Sequence, residues 1–199
     1  MPKILLNAGC GPREHSTRLP ALFAMPEWRE VRVDIDATVE PDLVASITDL
    51  AEVPDASVDA LWSSHNIEHL FSFEVPRALG EFLRVLKPEG FAYLKVPDLQ
   101  IIAQLVAADR LNEPAYEASA GAITPHDMIY GHAPSLAAGN LFMAHRTGFT
   151  ANSLGLALRA AGFAMAVLKR REYLELSALA FKQSRDPAYH QQILAGLSF

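Results

Sequence analysis

Apolar residues in this chain follow two rhythms, and their positions outline the fold. Short runs rich in aliphatic and β-branched residues, bounded by polar, Gly- or Pro-bearing stretches, predict strands. They cover Lys3 to Ala8, Val31 to Ile35, the weaker Leu43 to Ile47, Val58 to Ser63, and Phe91 to Val96, closed by Pro97. Glu74 to Leu86 has the helical rhythm, with Leu79, Phe82, Leu83 and Leu86 on one side. Lys87-Pro88-Glu89-Gly90 is expected to stop that helix. Strand-like runs alternating with helix-like segments point to an α/β fold with a mostly parallel sheet.

The rhythm breaks from Asp98 to Gly148. A helix-like piece, Leu99 to Leu111, is followed by Pro114, Gly121, Pro125, Gly131, Pro134 and Gly139. That is long for a connection in a compact domain, so residues 98–148 are expected to form a lid or substrate-covering insertion in a single domain of residues 1–199. Thr150 is a plausible N-cap for a helix ending near Gly162. Phe163 to Leu168 and Tyr173 to Phe181 read as two last strands, with a short helix after Asp186. There is no internal repeat.

Composition narrows the classes. With 199 residues, half of them hydrophobic, the chain can bury one full core. A net charge of −6 disfavours a broad nucleic-acid face. Lys169-Arg170-Arg171 is the one dense basic stretch and reads as a solvated strand end. The single cysteine, Cys10, rules out an internal disulfide framework and reads as a packing residue of its turn. Met1-Pro2-Lys3 leads straight into the first strand, so no secretory leader is expected; no apolar run approaches the ~20 residues of a spanning helix, and a cytoplasmic protein is expected.

Candidate chemistry starts where the first strand ends. Asn7-Ala8-Gly9-Cys10-Gly11-Pro12 turns sharply after a buried strand, and its glycines would let backbone approach a ligand closely. A nicotinamide fingerprint needs a third glycine where Glu14 stands, and a phosphate loop needs Lys-Ser/Thr where the chain has Pro12-Arg13. Both phosphate readings weaken.

At this point the chain resembles the class I S-adenosylmethionine-dependent methyltransferases, and within them the small type 11 group. Leu6 to Pro12 resembles their first motif and Val33-Asp34-Ile35-Asp36 their second. Ile47-Thr48-Asp49-Leu50 with Val53 to Ala60 resembles the adenine-side loop and the entry to strand four. Ser64 to Leu70 resembles the segment after that strand, and Arg84 to Phe91 the hairpin before strand five. Ala161-Gly162-Phe163 fits the joint before strand six.

The resemblance implies a Rossmann-like, doubly wound, seven-stranded sheet, mostly parallel with an antiparallel last strand. The implied cofactor is S-adenosyl-L-methionine, with S-adenosyl-L-homocysteine as product. Ala8, Gly9, Cys10, Gly11, Asp34, Ile35, Asp49, Leu50, Ser64 and His65 are the implied cofactor-binding residues. Asp34 would take the ribose hydroxyls, with Asp36 its competitor on the same face. Asp49 would take the adenine amino group and Leu50 would pack on the ring. The family often covers its pocket with N-terminal helices. This chain begins almost at strand one, so the 98–148 segment or a partner subunit is expected to cover it.

His65 is the first candidate for a catalytic residue near the methyl group. His126, His132, His145 and Tyr130 are candidates for substrate contact or proton removal, because a histidine titrates near neutrality. The acceptor is expected to be a small molecule, without nucleic-acid or membrane partners, and a homodimer is open.

Two alternatives stand beside this reading. One is a protein that binds S-adenosylmethionine without methylating. The other is a zinc hydrolase, because His65-Asn66-Ile67-Glu68-His69 has the H-x-x-E-H spacing of a helical metal site. That segment begins at a strand end and lacks a convincing downstream third ligand, so no metal is expected.

Overall fold

The computed structural model describes residues 2–14, 19–118, 121–197 and 199. Its elements, in chain order, are β1 (Lys3–Ala8), β2 (Trp28–Asp34), β3 (Leu43–Val44), β4 (Val58–Ser64), α1 (Val75–Val85), β5 (Leu86–Pro97) and α2 (Leu99–Ala107). A small hairpin of β6 (Tyr116–Ala118) and β7 (Gly121–Ile123) follows, then α3 (Pro125–Tyr130) and α4 (Ala133–Ala137). The chain finishes with α5 (Ala151–Ala161), β8 (Met165–Arg170), β9 (Glu175–Phe181) and α6 (Pro187–Gly196).

Seven strands form one sheet in the order β3-β2-β1-β4-β5-β9-β8. The first five run parallel, and β9 is antiparallel to both β5 and β8. This is the Rossmann-like sheet the resemblance implied. The strand order reverses between β1 and β4, which makes their carboxyl ends the crevice where such sheets bind ligands.

Alternation along the central strands feeds two cores. Leu6, Ala8, Leu61, Ala92 and Leu94 face the larger one, which α1 and α5 cover through Leu79, Phe82, Leu154 and Leu158. Leu5, Ala60, Trp62, Phe91 and Tyr93 face the other, covered by Phe23 of the 3-10 turn Ala21–Ala24 and by Tyr189, Ile193 and Leu194 of α6. Side chains two apart on a strand share a face, so one apolar run serves both layers.

The elements differ from expectation at three places. The third strand holds only Leu43–Val44, because the chain turns at Ser46, whose carbonyl accepts the Asp49 amide at 2.9 Å and whose hydroxyl meets that of Thr48 at 2.8 Å. Leu86 to Gly90 does not simply stop α1. Leu86 already pairs with Val58, and the register then shifts so that Ala60 pairs with Phe91. Lys87 Nζ anchors that irregularity on both oxygens of Asp59, each at 2.8 Å. The helix-like piece after Asp98 ends at Ala107, where Asp109 takes a left-handed φ of 59°.

The C-terminal expectations hold closely. Thr150 and Ser153 form a reciprocal capping box on α5, and Gly162 ends it at φ 104°. Residues 98–148 leave and rejoin the sheet at one point. Asp98 bridges Phe149, and the Leu99 amide donates to Phe149 O at 2.9 Å. Arg170 is not a purely solvated strand end, since its Nε donates to the buried Asp98 carboxylate at 2.7 Å.

Candidate functional site

The carboxyl ends of β1, β2 and β4 meet at the switch point. The turn after β1 needs glycine twice, at φ 75° for Gly9 and φ 60° for Gly11. The space a Cβ on Gly9 would fill is occupied by Asn66, whose side-chain Cγ lies 2.3 Å from that position. Asn66 Nδ2 in turn donates to Ala8 O at 3.0 Å. Gly9 therefore makes room first for Asn66, which ties the end of β1 to the chain beyond β4.

The turn's amides all point inward. Gly9 N and Cys10 N donate to Val33 O at 2.9 and 3.0 Å, and Gly11 N donates to Asp34 Oδ2 at 2.8 Å. With those donors spent, the turn offers no nest for a pyrophosphate. Asp34 Oδ1 accepts the Asp36 amide at 3.0 Å, so each Asp34 oxygen keeps a lone pair for another donor. Asp36 is used differently: its carboxylate caps the 3-10 turn Ala37–Val39 by accepting Thr38 N and Oγ1. Ile35 between them is 53% exposed, an apolar side chain left bare beside the half-buried Asp34.

Arg32 holds this corner together. It is 2% exposed, and its guanidinium donates to the carbonyls of Gly11, Glu40 and Val39. Burial, offset in part by Arg32, pushes the Cys10 thiol up to about 11, which leaves Cys10 a protonated packing residue.

Three of the expected cofactor contacts take other roles. Ala8 is fully buried with its carbonyl taken by Asn66. Leu50 is fully buried in the larger core and its amide donates to Glu81 Oε2, so it has no surface for an adenine ring. Cys10 is buried too. Gly9, Gly11, Asp34, Ile35, Asp49 and Ser64 keep accessible surface, Asp49 forming a loose ion pair with Arg77 at 3.7 Å.

Past β4 the chain turns through His65 at φ 50°, a left-handed conformation that is uncommon outside glycine. The H-x-x-E-H spacing does not become a helical face, because only Ile67–His69 forms a single 3-10 turn. His65 Nε2 lies 3.3 Å from Glu175 Oε2, and Nδ1 lies 3.4 Å from Glu68 Oε1. Lys95 Nζ joins Glu175 from β5 at 2.9 Å. Desolvation pulls the His65 imidazolium down, but Glu175 and Glu68 outweigh it and its pKa is pushed up to about 9. At neutral pH His65 carries its proton on both nitrogens and does not serve as a base.

Glu68 is 1% exposed and neither carboxylate oxygen receives a hydrogen bond among the described residues. Burial raises its pKa, but His65, then His69 and His145, lower it further, so the carboxylate stays ionised. His145 arrives from the far end of the 98–148 segment. Its Nδ1 donates to Met128 O at 2.9 Å, and its ring meets that of His69 at 4.8 Å between centroids. Desolvation first, with His69 and His65, lowers the His145 pKa against the opposing pull of Glu68, so His145 is neutral. The segment is also tied down by backbone, with Arg146 N and Thr147 N both donating to Glu68 O.

Of the expected catalytic candidates, His65, His145 and Tyr130 converge here. Tyr130 and His145 line one cleft with Glu68, Arg146 and Met128, about 210 Å³ in volume. His126 meets Tyr130 ring to ring, tilted, at 4.9 Å between centroids without lining that cleft. His132 is spent on Ser135 Oγ at the start of α4, at 2.8 Å. Asn66, Glu175 and Arg32 were not singled out as site residues from sequence, and Glu68 only as the acid of the H-x-x-E-H zinc alternative. Only Glu68 and Asn66 had a visible signal, by lying inside the segment that follows strand four.

The sheet order, the switch point and the glycine turn define a Rossmann-like methyltransferase fold. Residues 6–94, just under half of the chain, match the family model described as a methyltransferase domain. No curated protein matches the chain. Among solved structures it is similar to the 1,6-didemethyltoxoflavin-N1-methyltransferase of Burkholderia thailandensis, crystallised with 1,6-didemethyltoxoflavin and S-adenosylhomocysteine. That likeness has 16% identity and a TM-score of 0.57, covering 92% of this chain and 72% of that one. A methyltransferase of Methanosarcina mazei matches at 18% identity and a TM-score of 0.59, over 90% of this chain and 92% of its own. One from Archaeoglobus fulgidus matches at 15% identity and 0.56, over 90% and 86%. At these identities the likeness is one of fold.

Proposed function

We propose that this chain transfers the methyl group of S-adenosylmethionine to a small-molecule acceptor held between the end of β4 and the 98–148 segment. The observation that carries the reading is the pairing at the switch point: a glycine turn with its amides spent inward, beside an Asp34 carboxylate with lone pairs to spare. That pairing suits a nucleoside without phosphates. Asp34 accepts the ribose hydroxyls, and the bare Ile35 side chain offers the adenine an apolar surface. Asp49 accepts the exocyclic amino group, and Ser64 and His65 border the methionine end.

When bound, the cofactor supplies a methyl group on a sulfonium, already activated for in-line displacement. The chain's task is then to orient two reactants and exclude water. The acceptor would be held in line with the carbon–sulfur bond, which would break as the methyl moves, and the cleft would let the acceptor's proton pass to solvent. Tyr130 and Arg146 line that cleft and supply a hydroxyl and a guanidinium to position the acceptor. The 98–148 segment, fastened at Asp98, Phe149 and Glu68, acts as the cover of this one domain.

Calorimetric titration tests the reading. S-adenosylhomocysteine should bind one site per chain while NAD does not, and Asp34→Ala should weaken the former by more than about tenfold, the loss of charge-assisted hydrogen bonds to two hydroxyls. Unchanged affinity in Asp34→Ala, or a response to NAD alone, overturns it.

A further inference from the structure

We propose that Glu68, His69 and His145 form a binding site for a divalent transition-metal ion, with zinc the preferred occupant. One oxygen of Glu68 and one nitrogen from each histidine all lie within 4.8 Å of one another. Such ligands bind zinc at ~2.0–2.2 Å, which spaces tetrahedral donors about 3.4 Å apart, so side-chain rotation closes the site without moving the backbone far.

The independent sign is the carboxylate. Glu68 is 1% exposed, and neither oxygen accepts a hydrogen bond among the described residues. Its one charged contact there is the long ion pair to His65 Nδ1 at 3.4 Å. Buried carboxylates are normally given donors or metals, because an unmatched one is costly. His145 is arranged as a histidine ligand usually is. His145 donates its Nδ1 proton to Met128 O at 2.9 Å, which leaves the Nε2 lone pair available. His69 has carbonyl partners at both nitrogens, Ala144 O and His65 O, each at 3.1 Å. A metal would replace one of these two contacts, leaving the ring to donate its single proton to the other carbonyl.

One carboxylate and two imidazoles favour zinc over magnesium or calcium, and over iron by the usual affinity order. The cleft lined by Glu68, His145, Tyr130 and Arg146 lies alongside, so a fourth position opens toward it. His65 stays outside the ligand set, paired with Glu175. The ion would fasten the 98–148 segment to the end of β4 through side chains, beside the backbone bonds from Arg146 and Thr147. This site does not depend on the methyl-transfer reading.

The test uses tag-free full-length protein, stripped with a chelator and dialysed against Zn2+, with metal per chain measured by mass spectrometry. Wild type should retain one equivalent, and Co2+ in its place should show the visible bands of a tetrahedral N/O site. Glu68→Gln and His145→Ala should each lower zinc affinity by about 100-fold, at or above what outer partners alone cost, while His132→Ala binds as wild type. Glu68→Gln keeps the side chain's shape, and circular dichroism verifies that each variant is folded; His69→Ala replaces any that is not. Absence of stoichiometric zinc in wild type, tighter binding of Fe2+ than Zn2+, or unchanged affinity in folded ligand variants overturns the proposal. Titrating S-adenosylhomocysteine into the same metal-free protein separates failure of this site from failure of the cofactor reading.

Discussion

Two polar regions lie side by side on the carboxyl edge of the sheet, and they are balanced by different forces. Around the ends of β1 and β2, hydrogen bonds do the balancing. Three turn amides, both Asp34 oxygens and the outer nitrogens of Arg32 all have partners. Past the end of β4, charge does it: the Glu68 carboxylate sits among His65, His69 and His145 without a hydrogen bond of its own. The first region is a frame of matched donors and acceptors. The second depends on which imidazoles are charged, so pH and cations act on it directly.

The largest expected effect is in the frame. Arg32→Met should lower stability by about 3 kcal/mol, because it removes charge-assisted bonds from a buried guanidinium to the carbonyls of Gly11, Val39 and Glu40. Urea unfolding measures it, and a loss below about 1 kcal/mol would mean the corner does not rest on Arg32. Gly9→Ala follows at about 2 kcal/mol, from strain at φ 75° and the clash with Asn66. Adding Asn66→Gly should recover part of that loss; strictly additive effects in the double-mutant cycle would separate the two residues.

The smallest effect tests the charged region. Proton NMR of the metal-free protein should place the His65 pKa near 9, and Glu175→Gln should bring it down toward its ordinary 6.5. Because the folded value is raised, the stabilisation from this pair is complete below 6.5 and fades as pH climbs through about 9. Glu175→Gln should therefore cost more stability at about pH 6, where its pairs with His65 and Lys95 are both lost, than at about pH 10, where only the Lys95 pair is. An equal cost at both would break the contrast between the regions.

The frame was far more legible in the sequence than the charged region. Its parts lie close together in the chain: a glycine turn directly after one strand and an acid closing the next. Thr150 and Gly162 were equally readable, because caps are written in local residue types. Arg32 escaped notice because a charged residue in a β-branched run reads as solvent-facing, whereas here both faces of the strand are covered. Leu50 misled in the opposite way, since an apolar residue beside a loop acid serves a core as readily as a ring. The partnership of Glu68 with His145 has no local signature at all and exists only once the 98–148 segment has folded back.

Sequence separation also sets an order of assembly. Gly11 and Asp34 meet across 23 residues, whereas His69 reaches Ala144 across 75 and His65 reaches Glu175 across 110. Closing longer loops costs more chain entropy before any contact rewards it. The Gly11–Asp34 corner is thus the part a growing chain completes early, and the histidine end waits until β9 has slid in antiparallel beside β5.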